Sequence, residues 1–124
     1  MRTLKSKAEF DFVYKNSKKC DRGSFCSYIL TFSHPSLKER KLSFKERKVF
    51  ASFLSQEDQF YAGLSVSKKI GNAPTRNKIK RWFRAFCRIH QDLLVGKAII
   101  FVAKDASRLS YSCIQEEMLR VLGR

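Results

Sequence analysis

The sequence predicts an α/β fold in which a small sheet is covered by amphipathic helices. Three observations carry that expectation. Segments 24–32, 60–67 and 97–104 are rich in aromatic, β-branched and other apolar residues at strand length. Segments starting near Ser6, Ala73 and Ser110 instead place apolar residues at helical spacing. With 44% hydrophobic residues, 11 Phe and 4 Tyr in 124 residues, the chain is too apolar for a disordered basic tail and suits one globular domain over 1–124.

Taken in order, Ser6-Lys7-Ala8-Glu9 reads as a capping box, in which the Ser6 hydroxyl and the Glu9 carboxylate each satisfy an orphan amide at a helix start. The helix runs to about Lys18, with Phe10, Val13 and Tyr14 on one face. Asp21-Arg22-Gly23 is a turn, and in the strand that follows Cys26, Tyr28, Leu30 and Phe32 share a face. In the second strand Phe60, Ala62, Leu64 and Val66 point one way, and the small Gly63, Ser65 and Ser67 the other. The third is a continuous apolar run, as expected of a strand covered on both faces. In the last helix Ile114, Met118 and Val121 recur at helical spacing before Gly123.

Between the first two strands lies a tandem repeat, Ser36-Leu37-Lys38-Glu39-Arg40-Lys41-Leu42 followed by Ser43-Phe44-Lys45-Glu46-Arg47-Lys48-Val49. Its apolar positions settle on no single face, so the expectation is a basic inserted loop at about 34–58. Such a loop is either solvated or an accessory arm toward RNA phosphates or another subunit.

Charge sets the class of partner. Lys and Arg number 26 against 11 Asp and Glu, a formal charge of +15. Between Asp58 and Asp92 there is no acid at all, and Lys68, Lys69, Arg76, Lys78, Lys80, Arg81, Arg84 and Arg88 follow one another. Pro74 suits the first turn of the helix that carries most of them, because the amide it lacks would be unpaired there. At roughly 100° per residue from Arg76, Lys80, Arg84, Asn77, Arg88 and Arg81 fall within about 140°. Ile89, Trp82, Phe86, Ile79 and Phe83 occupy roughly 220° to 340° and should pack on the sheet. Lys78, near 200°, stands off the basic arc.

A merely solvated helix face usually interleaves acids with its bases so that i, i+4 pairs form. This face has none, which favours a nucleic-acid polyanion whose phosphates remove the repulsion. A basic amphipathic helix could also lie on anionic lipid, yet here its apolar face is claimed by the sheet. No run approaches the length of a membrane span and the start has no signal-peptide core, so a soluble cytoplasmic protein is expected. Cys20, Cys26, Cys87 and Cys113 are too dispersed for a zinc site or a disulfide framework and read as small, mostly buried hydrophobes.

The string Gly63-Leu64-Ser65-Val66-Ser67-Lys68-Lys69-Ile70-Gly71-Asn72-Ala73, followed by Arg76-Asn77-Lys78-Ile79-Lys80-Arg81 and Arg84, resembles the signature of the bacterial ribonuclease P protein component. The likeness extends from Leu4-Lys5, Phe10 and Tyr14 through Tyr28 to Lys104-Asp105-Ala106-Ser107 and Leu109-Ser110-Tyr111. It implies an α+β sandwich like domain 2 of ribosomal protein S5, with a small central sheet and an unusual left-handed β-α-β crossover; chirality alone favours the right-handed form. It also implies the protein subunit of a ribonucleoprotein endonuclease that matures tRNA 5′ ends, in which the RNA subunit hydrolyses the precursor-tRNA leader and requires Mg2+. The protein would then hold no catalytic residue, no metal site and no small-molecule substrate. Its partners would be that catalytic RNA and precursor tRNA.

In such proteins the basic helix lies on the RNA subunit, which maps to Arg76, Asn77, Lys78, Lys80, Arg81 and Arg84; Arg88 joins them on the wheel. A cleft between the first helix and the sheet holds the leader, which maps to Phe10, Tyr14 and Tyr28, with Lys68 and Lys69 at its edge. Unpaired bases stack on aromatic faces while cations follow the backbone, so the mapping is physically sound. The chain departs from the family pattern at Lys78, where arginine is usual, at Pro74-Thr75, where an aliphatic pair is common, and in the longer 38–48 insertion. Two rivals share part of this pattern. A self-sufficient nuclease would need positioned acids and bases, for which His34 and His90 are isolated candidates. A structural RNA-binding protein would share the charge without needing the aromatics.

Overall fold

A computed structural model describes residues 2–33, 41–55 and 59–123. Along the chain run β1 (Arg2–Thr3), α1 (Lys7–Asn16), β2 (Lys18–Asp21), β3 (Phe25–Thr31), α2 (Phe44–Leu54), β4 (Tyr61–Ser65), α3 (Ala73–Ile89), α4 (Gln91–Leu94), β5 (Lys97–Ala103) and α5 (Tyr111–Leu122). Single 3-10 turns at Lys68–Ile70 and Ala106–Arg108 precede α3 and α5. The strands form one mixed sheet in the order β1-β4-β5-β3-β2. β4 lies parallel to β1 and β5, whereas β3 is antiparallel to both β5 and β2.

β5 is central and buried on both faces, as its unbroken apolar run predicts. Ile99 and Phe101 face a core closed by Ile79, Phe83 and Phe86 of α3, Leu94 of α4, and Ile114 and Met118 of α5. Ala98 and Ile100 face a second core closed by Phe12 and Val13 of α1 and Phe53 of α2. The alternation expected in the neighbouring strands holds too. Phe60 and Ala62 belong to the first core and Tyr61 to the second, while Phe25 is split in the same way from Leu30 and Phe32.

The short β1 and α4 are additional to the sequence expectation, and two further stretches take a different form from it. The first helix stops at Asn16, and Lys18–Asp21, read as helix end and turn, forms the edge strand β2. Its lysines mask a strand signal, although charges are what blunt an exposed edge. Gly23 then makes the turn into β3, with φ of 84° and its amide donating to Asp21 Oδ1 at 2.9 Å.

The larger correction is α2, a helix of 11 residues inside the expected inserted loop. Ser43 caps it through a reciprocal box with Glu46, the Glu46 amide donating to Ser43 Oγ at 3.2 Å and the Ser43 amide to Glu46 Oε1 at 3.1 Å. The repeat ends at Val49, but the helix continues through Phe50 and Phe53, and these complete the apolar face that the repeat by itself lacks. Phe53 is fully buried between Phe32, at 5.2 Å between ring centroids, and Tyr61, at 4.7 Å. Residues 36–40 of the first repeat copy lie outside the described residues.

The Glu46 carboxylate also pairs with Lys15 of α1 at 3.3 Å, joining the two helices on this face. The Ser43 amide first, and then Lys15, hold its pKa below the usual carboxylate range. A folded pKa below the unfolded one gives stabilisation that is complete above the unfolded value and is lost as pH falls through the folded one. Glu46→Gln should therefore lower the thermal midpoint at neutral pH and narrow the gap to wild type under acid conditions. Circular-dichroism melts across that range measure both, and a constant gap would exclude the carboxylate as the source.

Candidate nucleic-acid interface

The Asn72 side chain starts α3 by accepting from the Thr75 amide at 3.0 Å, and Pro74 occupies the first turn as expected. The helix then presents two unlike faces, but the packed arc is rotated from the one the wheel predicts. Cys87, near 20° on that count, is buried beside Ile79, Phe83 and Phe86, whereas Ile89, near 220°, is 58% exposed. The rotation turns Arg76 and Lys80 half inward and leaves Asn77, Arg81, Arg84 and Arg88 exposed. Cys87 was the overlooked signal, a small apolar residue at the edge of the charged arc. Burial pushes its thiol pKa up to about 12, so it packs as a hydrophobe.

The cations of α3 differ in their local ties. Arg76 Nε donates to the Gly71 carbonyl at 3.2 Å, anchoring that side chain to the turn before the helix. Lys78 stands apart as predicted, its Nζ 5.2 Å from the centre of the Trp82 ring. Lys68 and Lys69 are exposed on the 3-10 turn between β4 and α3. His90 ends α3 with its ring 4.7 Å from Phe86, and His34 lies outside the described residues.

Across the sheet, the aromatics expected to act together do adjoin. The Phe10 and Tyr14 rings, one turn apart on α1, are 6.4 Å apart, and Tyr14 meets Tyr28 of β3 edge-on at 4.7 Å. Phe10 and Tyr28 are half-buried and Tyr14 is exposed, so the three form a strip at the surface rather than a sealed core. Burial and the neighbouring Tyr28 raise the Tyr14 phenol pKa above its ordinary value. Lys19, hidden from the sequence together with β2, lies over the Tyr28 ring at 5.8 Å. The register explains the grouping, because Gly63, Ile100, Tyr28 and Lys19 stand in one row across four strands.

Gly63 joins the strip to the helix. A Cβ built there would fall 2.7 Å from Phe10 Cε1, so only glycine lets the Phe10 ring approach β4 this closely. Beside it a cavity of about 220 Å³ is lined by Leu4, Phe10 and Gly63 on one side and by Lys80, Arg84 and Cys87 of α3 on the other. The short β1 leaves this edge of the sheet open, and aromatic and cationic groups from opposite faces meet around it.

Cations along a helix beside an aromatic strip are what an unpaired polynucleotide needs. The ribonuclease P family model matches residues 1–124. The chain belongs to the ribonuclease P protein family. It is 37% identical over 120 residues to the ribonuclease P protein component of Helicobacter hepaticus, covering 94% of this chain and 79% of that one. The component from Staphylococcus epidermidis is 31% identical over 122 residues, covering 95% and 87%. Among solved structures, the Staphylococcus aureus RNase P protein superposes with a TM-score of 0.69 at 30% identity, over 99% of this chain and 94% of that one. The Thermotoga maritima RNase P protein has a TM-score of 0.66 at 20% identity, over 98% and 96%, a likeness of fold. Membership of the ribonuclease P family assigns the chain to tRNA 5′-end processing.

The close approach at Gly63 is open to direct test. Gly63→Ala should fold, because the group in the way is the outer edge of a half-buried ring, but Phe10 must swing away. Aromatic NMR shifts of Phe10 and Tyr14 should change together. Unchanged shifts would mean that the strip does not depend on this close approach.

Proposed function

We propose that this ribonuclease P protein binds a catalytic RNA subunit through α3 and the single-stranded 5′ leader of precursor tRNA through the Phe10–Tyr14–Tyr28 strip. The observation that carries the reading is the meeting of these two unlike surfaces at the Gly63 cavity, so that one RNA held on α3 and another on the strip would be neighbours. On this reading the RNA subunit performs the hydrolysis, supported by the Mg2+ that RNA catalysis of this kind requires. The protein contributes binding and position, and acts in the cytoplasm alongside the RNAs it holds.

Each group then has a physical role. Arg81, Arg84 and Arg88 face outward to take phosphates of the RNA subunit, Asn77 offers an amide among them, and Arg76 and Lys80 extend the interface toward the sheet edge. Lys78, held near Trp82, supplies charge at the flank, where the absence of arginine's planar fork matters less. On the strip, Tyr14 and Phe10 stack on unpaired bases while Lys19 and Lys68 or Lys69 follow the backbone. Mature tRNA has no leader to stack, so the strip favours the precursor.

Cleavage of precursor tRNA at low magnesium should need the RNA subunit, be absent with the protein alone, and be enhanced by both together. Failure of the protein to enhance the RNA would overturn the assignment. Alanine at Arg81, Arg84 and Arg88 together should weaken RNA-subunit binding and flatten its salt dependence by roughly 0.7 to 0.9 log units for each phosphate no longer neutralised. An unaltered slope would move the interface off α3. Phe10→Ala with Tyr14→Ala should spare that binding but reduce the preference for precursor over mature tRNA. Equal weakening for the two substrates would remove the strip from leader recognition.

A further inference from the structure

We propose that α2 carries a second site for unpaired RNA, in which Phe44 is a stacking platform and Arg47 and Lys48 hold the flanking phosphates. The site rests on the reading that this chain binds RNA, but it lies on the sheet face opposite α3 and uses neither the basic helix nor the α1 strip. It gives a role to the repeat copy that the proposed function leaves unused.

Phe44 is the anomaly that motivates it. The ring is 76% exposed, whereas each of the other ten phenylalanines is buried or half-buried. Its place is fixed, because it is the first residue of α2 and directly follows the Ser43 cap with its two reciprocal hydrogen bonds. At roughly 100° per residue it also stands opposite Phe53, the side chain that seats the helix, and so at the centre of the outward arc.

The surroundings of the ring are cationic and open. Arg47 and Lys48, three and four residues on, are exposed and share the helix face of Phe44 as its i+3 and i+4 neighbours. Ala51 continues that arc with a side chain too small to cover the ring. Lys41 and Lys45 are exposed close by, and the one acid of the helix, Glu46, is turned away onto Lys15. A ring with cations one turn on, on a helix whose one carboxylate is paired with Lys15, fits a base between two phosphates. A lipid surface fits less well, since a helix lying in a bilayer interface needs a broad apolar face and that of α2 is spent on the sheet.

The test uses the full chain with Tyr14→Ala, which silences the α1 strip, and a short oligouridylate carrying 4-thiouridine. Irradiation should crosslink the peptide containing Phe44. Phe44→Ala should lower affinity for the single strand by roughly fivefold or more and leave affinity for an RNA duplex unchanged. Phe44→Trp should restore it, while Arg47→Gln with Lys48→Gln should weaken both ligands and flatten the salt dependence. Absence of the crosslink together with unchanged affinity in Phe44→Ala would overturn the proposal. So would a lowered melting temperature in that variant, which would make Phe44 a packing residue, or a Phe44→Ala protein that releases anionic vesicles but keeps its RNA. Any of these outcomes leaves the proposed function standing if the protein still enhances precursor cleavage by the RNA subunit.

Discussion

Burial of β5 on both faces is the constraint from which the remaining architecture follows. A strand that carries Ile99 and Phe101 on one side and Ala98 and Ile100 on the other needs two covers, and a chain of this size supplies them with few helices. One cover is α3, whose Phe83 stacks on Phe101 at 4.5 Å between ring centroids. Removing a ring of that kind from a core typically costs about 3–5 kcal/mol, far more than any one surface ion pair returns. The aromatic back of α3 therefore decides where the helix lies, and its cations are carried outward as a consequence. The helix needs no acid to stabilise it. Repulsion between cations one turn apart amounts to a few tenths of a kcal/mol per pair, which the packed face outweighs.

The second cover, α1 with α2, has to fit around the same strand without closing the sheet edge. Gly63 makes this possible, because the ring of Phe10 occupies the space that a side chain on β4 would fill. The aromatic strip is thereby held by backbone register rather than by loops, with Tyr28 set opposite Ile100 in the antiparallel pair and Gly63 opposite it in the parallel one. Rigid placement matters for a surface that stacks bases, since a platform already ordered loses little entropy when it binds.

Much of this was legible in the sequence, and the reasons are specific. The Ser6 to Glu9 capping box, the two-faced β4 and the doubly buried β5 carry local periodicities that tertiary packing did not override. What escaped was non-local or masked by charge. β2 is two lysines, a cysteine and an aspartate, and only its partner β3 makes it a strand. The α2 helix was hidden because the tandem repeat draws a boundary at Val49, before Phe50 and Phe53 complete the apolar face. On α3 a wheel counted from its charges misplaced the seam by a fraction of a turn, which put Ile89 inside and Arg76 and Lys80 fully outside. The residues of the strip were readable as aromatics, yet their mutual packing depends on strand register, which no single segment encodes.

Separating cations from aromatics along one edge also sets how the surface discriminates. On the proposed reading, phosphate contacts on α3 would be additive and insensitive to base identity, and would supply affinity that falls with salt. Stacking on Tyr14 and Phe10 would require bases free of a helix, and so would add little for a duplex and much for an unpaired strand. A molecule carrying both a folded RNA and a single-stranded extension would satisfy both requirements at once, and removing the extension would cancel only the second. Discrimination of this kind would come from the shape of the RNA presented to the protein, without any reading of sequence.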